Sequence, residues 1–144
     1  MNVNSTDTRR CFLCGQDNPH GFKMIFRREG HESVSEVVIP ATYQSFDGVV
    51  HGGMVAAFLD EIMADAVRKT GEHAVTGTLT VKYRKPCRIG EKIELRGWIT
   101  GKKGRIIDTD GKIIQNGELV AEGKGVFVIP REHYQEDVTR TSTG

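Results

Sequence analysis

The chain reads as an α+β fold in which a curved antiparallel β-sheet wraps around one long buried helix. Three stretches lead there. Residues 54–67 carry only Asp60, Glu61 and Asp65 as polar side chains, so a helix over them has almost no polar stripe and belongs in an interior. Val75, Gly77, Leu79, Val81 and Tyr83 alternate with Thr76, Thr78, Thr80, Lys82 and Arg84, the period-two pattern of a half-buried strand. Asn116-Gly117 is a two-residue hairpin signal between two long strand-like stretches. A lone helix that is apolar all round has to be covered, and a strongly curved sheet is the element left to cover it.

At 144 residues the chain is one domain with room for an ordinary core. A formal charge of +1 lacks the strong basic excess of a nucleic-acid binder. No run approaches the roughly 18 apolar residues of a membrane span, and the polar first ten residues show no signal peptide. Three cysteines without secretory features suit a reducing compartment. The expectation is therefore a cytoplasmic protein without nucleic-acid or membrane partners. Residues 1–10 form a disordered polar tail, 11–130 the folded domain and 131–144 a flexible C-terminal tail.

In chain order, the turn-forming residues of segment 11–21 predict an ordered loop. Residues 22–28 and 33–39 read as two strands, with Glu29-Gly30 in the connection. Residues 40–50 lead into the helix, which spans 52–69 and stops at Thr70-Gly71. Arg68 and Lys69 occupy its last turn, where cations favour the dipole. The alternating strand follows and ends at Pro86. Residues 92–102, 105–115 and 118–129 complete the sheet, and Asp110-Gly111 reads as a bulge within a long strand rather than a second turn.

The helix separates its own acids. Glu61 has Asp65 four ahead and Lys69 four beyond that, a row suited to solvent or an interface. Asp60 has Ala56, Ala57, Met63 and Ala64 as its three-and-four neighbours. Burying an unpaired carboxylate is costly, so Asp60 either finds a partner elsewhere in the fold or lines a cavity and does chemistry. At the helix start, unpaired N–H groups face outward with the positive end of the dipole. Gly52 and Gly53 let a ligand approach that backbone closely.

Gly48-x-x-His51-Gly52-Gly53, with an acid nine residues after the histidine at Asp60, resembles the helix motif of the hotdog-fold acyl-CoA thioesterases, in particular the phenylacetate-pathway and thioesterase-superfamily-member type. Residues 76–86, ending in Tyr83-x-x-Pro86, resemble the strand that follows in that family. Cys11-Phe-x-Cys14-Gly-x-x-Asn18-Pro19-x-Gly21 resembles an N-terminal motif of part of the branch. The likeness covers about residues 11–130 and implies hydrolysis of a medium-chain or aryl acyl-CoA to free acid and CoA. The acid, Asp60, acts as general base or nucleophile, and a Gly52 amide holds the oxyanion.

Geometry adds a constraint. Gly52 and Asp60 lie eight residues apart on one helix, or about 12 Å at about 1.5 Å per residue. One thioester carbonyl cannot reach both within hydrogen-bonding distance, so two subunits must contribute. The expectation is an obligatory homodimer with the site across its interface; the resemblance adds that such dimers often pair again. The resemblance also implies that a strand residue assists the acid, matched by Thr76 with Thr78 as its neighbour on that face. A side chain of the preceding loop, Gln44 or Ser45, would position water. His51 orients the turn through hydrogen bonds. Gly53, Met54, Phe58 and Thr78 are candidate substrate contacts, and Lys82, Arg84 and Lys85 candidate phosphate contacts. No cofactor is called for. Cys11-x-x-Cys14 would be half a zinc site if His20, His31 or Cys87 completed it, but one such pair alone is a weak metal signal. The expectation is a tight loop on the barrel end without metal. A non-catalytic acyl-CoA sensor of the same fold is the alternative function. A hydratase of this fold is disfavoured, because no second histidine is suitably placed.

Overall fold

The computed structural model describes residues 5–134. Helix α1 (Gly52–Arg68) packs on one face of a curved six-stranded antiparallel sheet. The strands are β1 (Arg27–Glu29), β2 (Glu32–Val37), β3 (Val75–Tyr83), β4 (Ile93–Lys103), β5 (Ile106–Gln115) and β6 (Glu118–Val128). Their order in the sheet is β1-β2-β4-β5-β6-β3. Phe58, Leu59, Ile62 and Met63 of the helix are fully buried, in one core with Leu95, Ile107, Ile113 and Phe127 of the sheet. Among the described residues no helix is long and apolar enough to cross a membrane. Residues 1–4 and 135–144, parts of the two expected tails, lie outside the described residues; 131–133 form a single 3-10 turn.

Glycines set how closely the helix approaches the sheet. A Cβ at Gly97 would lie 2.7 Å from the Ile62 carbonyl oxygen, and one at Gly111 would lie 3.0 Å from Met63 Cγ. Gly123 and Gly125 flank the Met63 methyl group in the same way. Strands β4, β5 and β6 thus carry a furrow without side chains into which one turn of α1 sinks, the usual meaning of glycine inside a strand. This corrects the bulge expected at Asp110-Gly111. The ladder runs straight there, with Gly97 opposite Gly111 and Trp98 opposite Asp110. Gly111 makes room for Met63 instead.

Residues 22–26 do not extend the first strand as expected. Phe22 N–H donates to the Phe12 carbonyl and Met24 N–H to the Leu13 carbonyl, each at 2.9 Å. Lys23 between them adopts a positive φ of 51°. The segment pairs with the cysteine loop rather than with the sheet, and Phe22 packs edge-on against Phe58 at 4.9 Å. The predicted hairpin turn is present. Asn116 (φ 52°) and Gly117 (φ 77°) both occupy the left-handed region that a two-residue turn of this kind requires.

Strand β3 departs from simple alternation in a way that builds the site. Thr76 stands opposite Phe127 and Thr78 opposite Val126, so two residues of β3 advance by one on β6. The extra residue is Gly77, where a Cβ would meet Val128 at 3.0 Å. Directly opposed residues share a sheet face, and Phe127 is buried against the helix. Thr76 therefore faces α1, while Thr78 faces outward. Two expectations fall with this: Thr78 is not on the face of Thr76, and Val75 is 59% exposed rather than inward. A bulge inverts every side chain beyond it.

Candidate active site

Asp60 finds its partner on the neighbouring strand. Turned inward by the Gly77 bulge, Thr76 donates its hydroxyl to Asp60 Oδ1 at 2.7 Å. Asp60 itself is only half-buried, and its second oxygen makes no hydrogen bond among the described residues. Strand β3 pairs with β6 alone among the described residues, which leaves its other edge free.

The helix start is built by a web of short bonds. His51 is the N-cap residue, and its Nδ1 accepts the Gly53 amide at 2.9 Å. Its own N–H donates to the Tyr43 carbonyl. The Met54 and Val55 amides both donate to the His51 carbonyl. The Gly52 amide has no such partner among the described residues, so it is the helix-end donor left for a ligand. Gly53, expected to contact substrate, has its amide taken by His51. Gln44 braces the turn below: its Oε1 accepts the Gly48 amide at 3.1 Å, and Gly48 holds a φ of 80°. Ser45 donates its backbone N–H to the Val49 carbonyl and lines a cavity of ≈ 370 Å³ beside Gly52.

Tyr83 also lines that cavity, and sequence reasoning passed over it as a site residue. Its hydroxyl donates to the Gly52 carbonyl at 2.7 Å, tying the end of β3 to the first residue of α1. The Tyr-x-x-Pro pattern was visible, but nothing in it indicated contact with the glycine turn 31 residues away. Phe46, 82% exposed, and Val55 give the cavity apolar wall, and Arg84 and Lys85 stand at its edge. Both cations are paired, Arg84 with Glu122 at 2.6 Å and Lys85 with Glu118 at 2.7 Å. These hydrogen bonds hold the Glu122 and Glu118 carboxyls below their usual range. Cys87, also on the cavity lining, is buried, and desolvation, then the charge of Glu91, pushes its thiol up to about 11. It is a packing residue, not a nucleophile.

Three other expected contacts are not among the residues lining that cavity. Phe58 is fully buried in the core, and Met54 is half-buried on the first turn of the helix. Lys82 faces outward opposite Glu122, on a separate cavity of ≈ 220 Å³ with Thr80 and Trp98. Glu61 overturns its expectation more sharply. It is neither solvated nor at a surface: it is buried, bonds Arg68 at 3.0 Å, and sits against Cys11 and Cys14. Burial, then a hydrogen bond to Glu61, raises the Cys14 thiol well above its ordinary range.

The thioesterase superfamily model matches residues 47–122, from the glycine turn into β6. The chain belongs to the thioesterase superfamily. Its single helix in an antiparallel sheet is the hotdog fold. A crystal structure of another thioesterase superfamily protein shares 27% identity, with a TM-score of 0.78 over 83% of this chain. The match spans only 60% of that longer chain. A phenylacetic acid degradation-related protein of Ralstonia eutropha matches in fold at 23% identity, with a TM-score of 0.69 over 75% of this chain and 86% of that one. A Streptococcus mutans protein solved with bound acetyl CoA matches in fold at 16% identity, with a TM-score of 0.70 over 78% and 91%. A search of curated proteins returned no match.

Proposed function

We propose that the protein is an acyl-CoA thioesterase, acting on a medium-chain or aryl acyl group as a homodimer whose active sites each draw on both chains. Asp60 takes the proton from water as that water adds to the thioester carbonyl, or adds to the carbonyl itself and forms an anhydride that water then cleaves to the free acid. The Gly52 amide of the other chain holds the oxyanion. Collapse of the tetrahedral adduct breaks the C–S bond and releases CoA as its thiol. Thr76 fixes the Asp60 carboxylate through the hydroxyl bond, leaving the other oxygen to act.

The observation that carries this reading is the pairing of a half-buried Asp60, bonded to Thr76 at 2.7 Å, with an unpartnered helix-end amide at Gly52. The two lie about 12 Å apart on the same helix at about 1.5 Å per residue, too far for one carbonyl. The free edge of β3 supports a second chain, since an open edge of nine residues is a template for strand pairing. The exposed Val75 along it and the exposed Phe46 near the glycine turn add apolar area for that chain to cover. The acetyl-CoA-bound relative supports the ligand class. The apolar cavity wall, with Arg84 and Lys85 at its edge, suits an acyl or pantetheine chain leading to phosphates.

The test is free-thiol release over a panel of acyl-CoA substrates with the wild type and Asp60→Asn. The wild type releases thiol from at least one substrate. The variant folds normally and loses most turnover. Near-normal turnover by Asp60→Asn removes Asp60 from the chemistry, whereas tight acyl-CoA binding without thiol release by the wild type favours a sensor.

A further inference from the structure

The second acid of the helix pair, Glu61, points away from the thioester site and meets the cysteine loop. Ligand atoms of Cys11, Cys14 and Glu61 all lie within 4.8 Å of one another. Tetrahedral zinc, with about 2.3 Å to sulfur and about 2.0–2.2 Å to oxygen, needs its ligand atoms about 3.5–3.8 Å apart. Side-chain shifts of about an ångström close that gap.

The loop is built to hold the two thiols together. The Gly15 amide donates to the Cys11 carbonyl at 2.8 Å, and the Asp17 amide to the Arg9 carbonyl at 2.9 Å. A Cβ at Gly15 would fall 2.4 Å from the Cys11 nitrogen and 2.5 Å from the Arg9 oxygen. Only glycine lets the chain turn back this tightly after Cys14. Asn18 fixes the far side, donating its side-chain amide to the Arg10 carbonyl.

An independent observation concerns charge. Glu61 and Asp65 are both buried, and both lean on the single guanidinium of Arg68, at 3.0 Å and 3.5 Å. Asp65 Oδ2 is buried with no hydrogen-bond partner among the described residues. Two carboxylates sharing one cation in a desolvated place are short of one positive charge, a costly arrangement. A divalent cation beside Glu61 leaves the net charge unchanged, since two thiol protons depart as it binds, but it gives that carboxylate a cation of its own and frees Arg68 to serve Asp65.

We propose that Cys11, Cys14 and Glu61 ligate a divalent transition metal of the zinc class, with water in the fourth position. Two sulfur ligands disfavour magnesium and calcium, and a carboxylate disfavours cuprous copper. On binding, both thiols give up their protons to solvent and become thiolate ligands, with no change of oxidation state. The ion staples the N-terminal loop to α1 at the residue beside Asp60. His20 and His31 or Cys87, the ligands weighed from the sequence for a site it was not expected to hold, are not in this group. The signal that was missed is Glu61 itself, which helical spacing had assigned to a polar row.

The test uses the full chain, purified reduced and without chelator, and does not depend on activity. Elemental analysis should find about one zinc per chain. The stripped, reduced protein should take up one equivalent of cobalt(II), with thiolate-to-cobalt charge transfer and the intense visible bands of a tetrahedral site, and zinc should displace it. Cys14→Ser and Glu61→Gln should each weaken cobalt binding by more than about 100-fold, beyond the about 10–100-fold that altering a neighbour of a ligand costs. Cys87→Ser should bind as the wild type does. Cys11→Ser, in the loop rather than the core, repeats the test should Glu61→Gln fail to fold. Reduced wild type that takes up no saturating equivalent of cobalt overturns the proposal. So does a folded Cys11→Ser or Cys14→Ser variant that binds cobalt with wild-type affinity and spectrum.

Discussion

Replacing Gly52 with proline removes one hydrogen-bond donor and sets the ring Cδ where that N–H pointed. Gly52 is the first residue of α1, directly after the N-cap His51. Proline is well tolerated there because the missing N–H had no helical partner. His51 already holds φ −55° and ψ 134°, the extended conformation that a residue before proline must adopt. A Cβ at position 52 would lie 3.6 Å from the Tyr83 ring, an ordinary contact. The variant should therefore fold with stability close to wild type in a urea titration. If the Gly52 amide holds the oxyanion, kcat should fall by about 10²–10³, the loss of about 2.7–4 kcal/mol measured when one such donor is removed. KM should rise as well, since the ring Cδ crowds the bound carbonyl oxygen. Gly52→Ala, which keeps the amide and adds only the Cβ, should turn over near the wild-type rate. Wild-type kcat in a normally folded Gly52→Pro would refute the assignment of that amide.

Two further substitutions probe the frame around the site. Gly97→Ala places a methyl group 2.7 Å from the Ile62 carbonyl oxygen. Neither backbone can yield cheaply, so the urea midpoint should drop by the equivalent of about 1–3 kcal/mol; an unchanged midpoint would show that the helix is not seated on that furrow. Thr76→Val removes the hydroxyl while keeping the shape. A hydrogen bond to a charged group is worth about 1.5–3 kcal/mol, so kcat should fall by about 10–100-fold with the melt little changed. Wild-type turnover would reduce Thr76 to a packing neighbour of Asp60.

The elements that rest on periodicity were legible from the residues. The long apolar helix, the Asn116-Gly117 hairpin and the antiparallel strands follow from spacing and turn chemistry alone, and they are enough to give a sheet around one helix. What stayed hidden depends on contacts distant in sequence. Gly111 looks like a bulge signal until Met63 is seen packed against it. Phe22 looks like a strand residue, but its backbone pairs with Phe12. At the site, Asp60 stood out because its helical neighbours offered it no partner, but the Gly77 bulge that turns Thr76 toward it breaks the alternation used to assign faces. Glu61 was misplaced for a related reason. Helical spacing relates it to Asp65 and Lys69, whereas its surroundings come from a loop some 50 positions earlier, at Cys11 and Cys14.

The claim that each site spans two chains is tested most directly by mixing two variants. Asp60→Asn and Gly52→Pro, each inactive alone, are combined under conditions that exchange subunits. In a mixed two-fold dimer, one site joins an intact Asp60 to an intact Gly52 and the other joins both defects. With half the dimers mixed and one site of two whole in each, turnover should return to roughly a quarter of wild type. A mixture that stays inactive, with exchange verified by tagged subunits, would place the acid and the amide in the same chain's site and contradict the account.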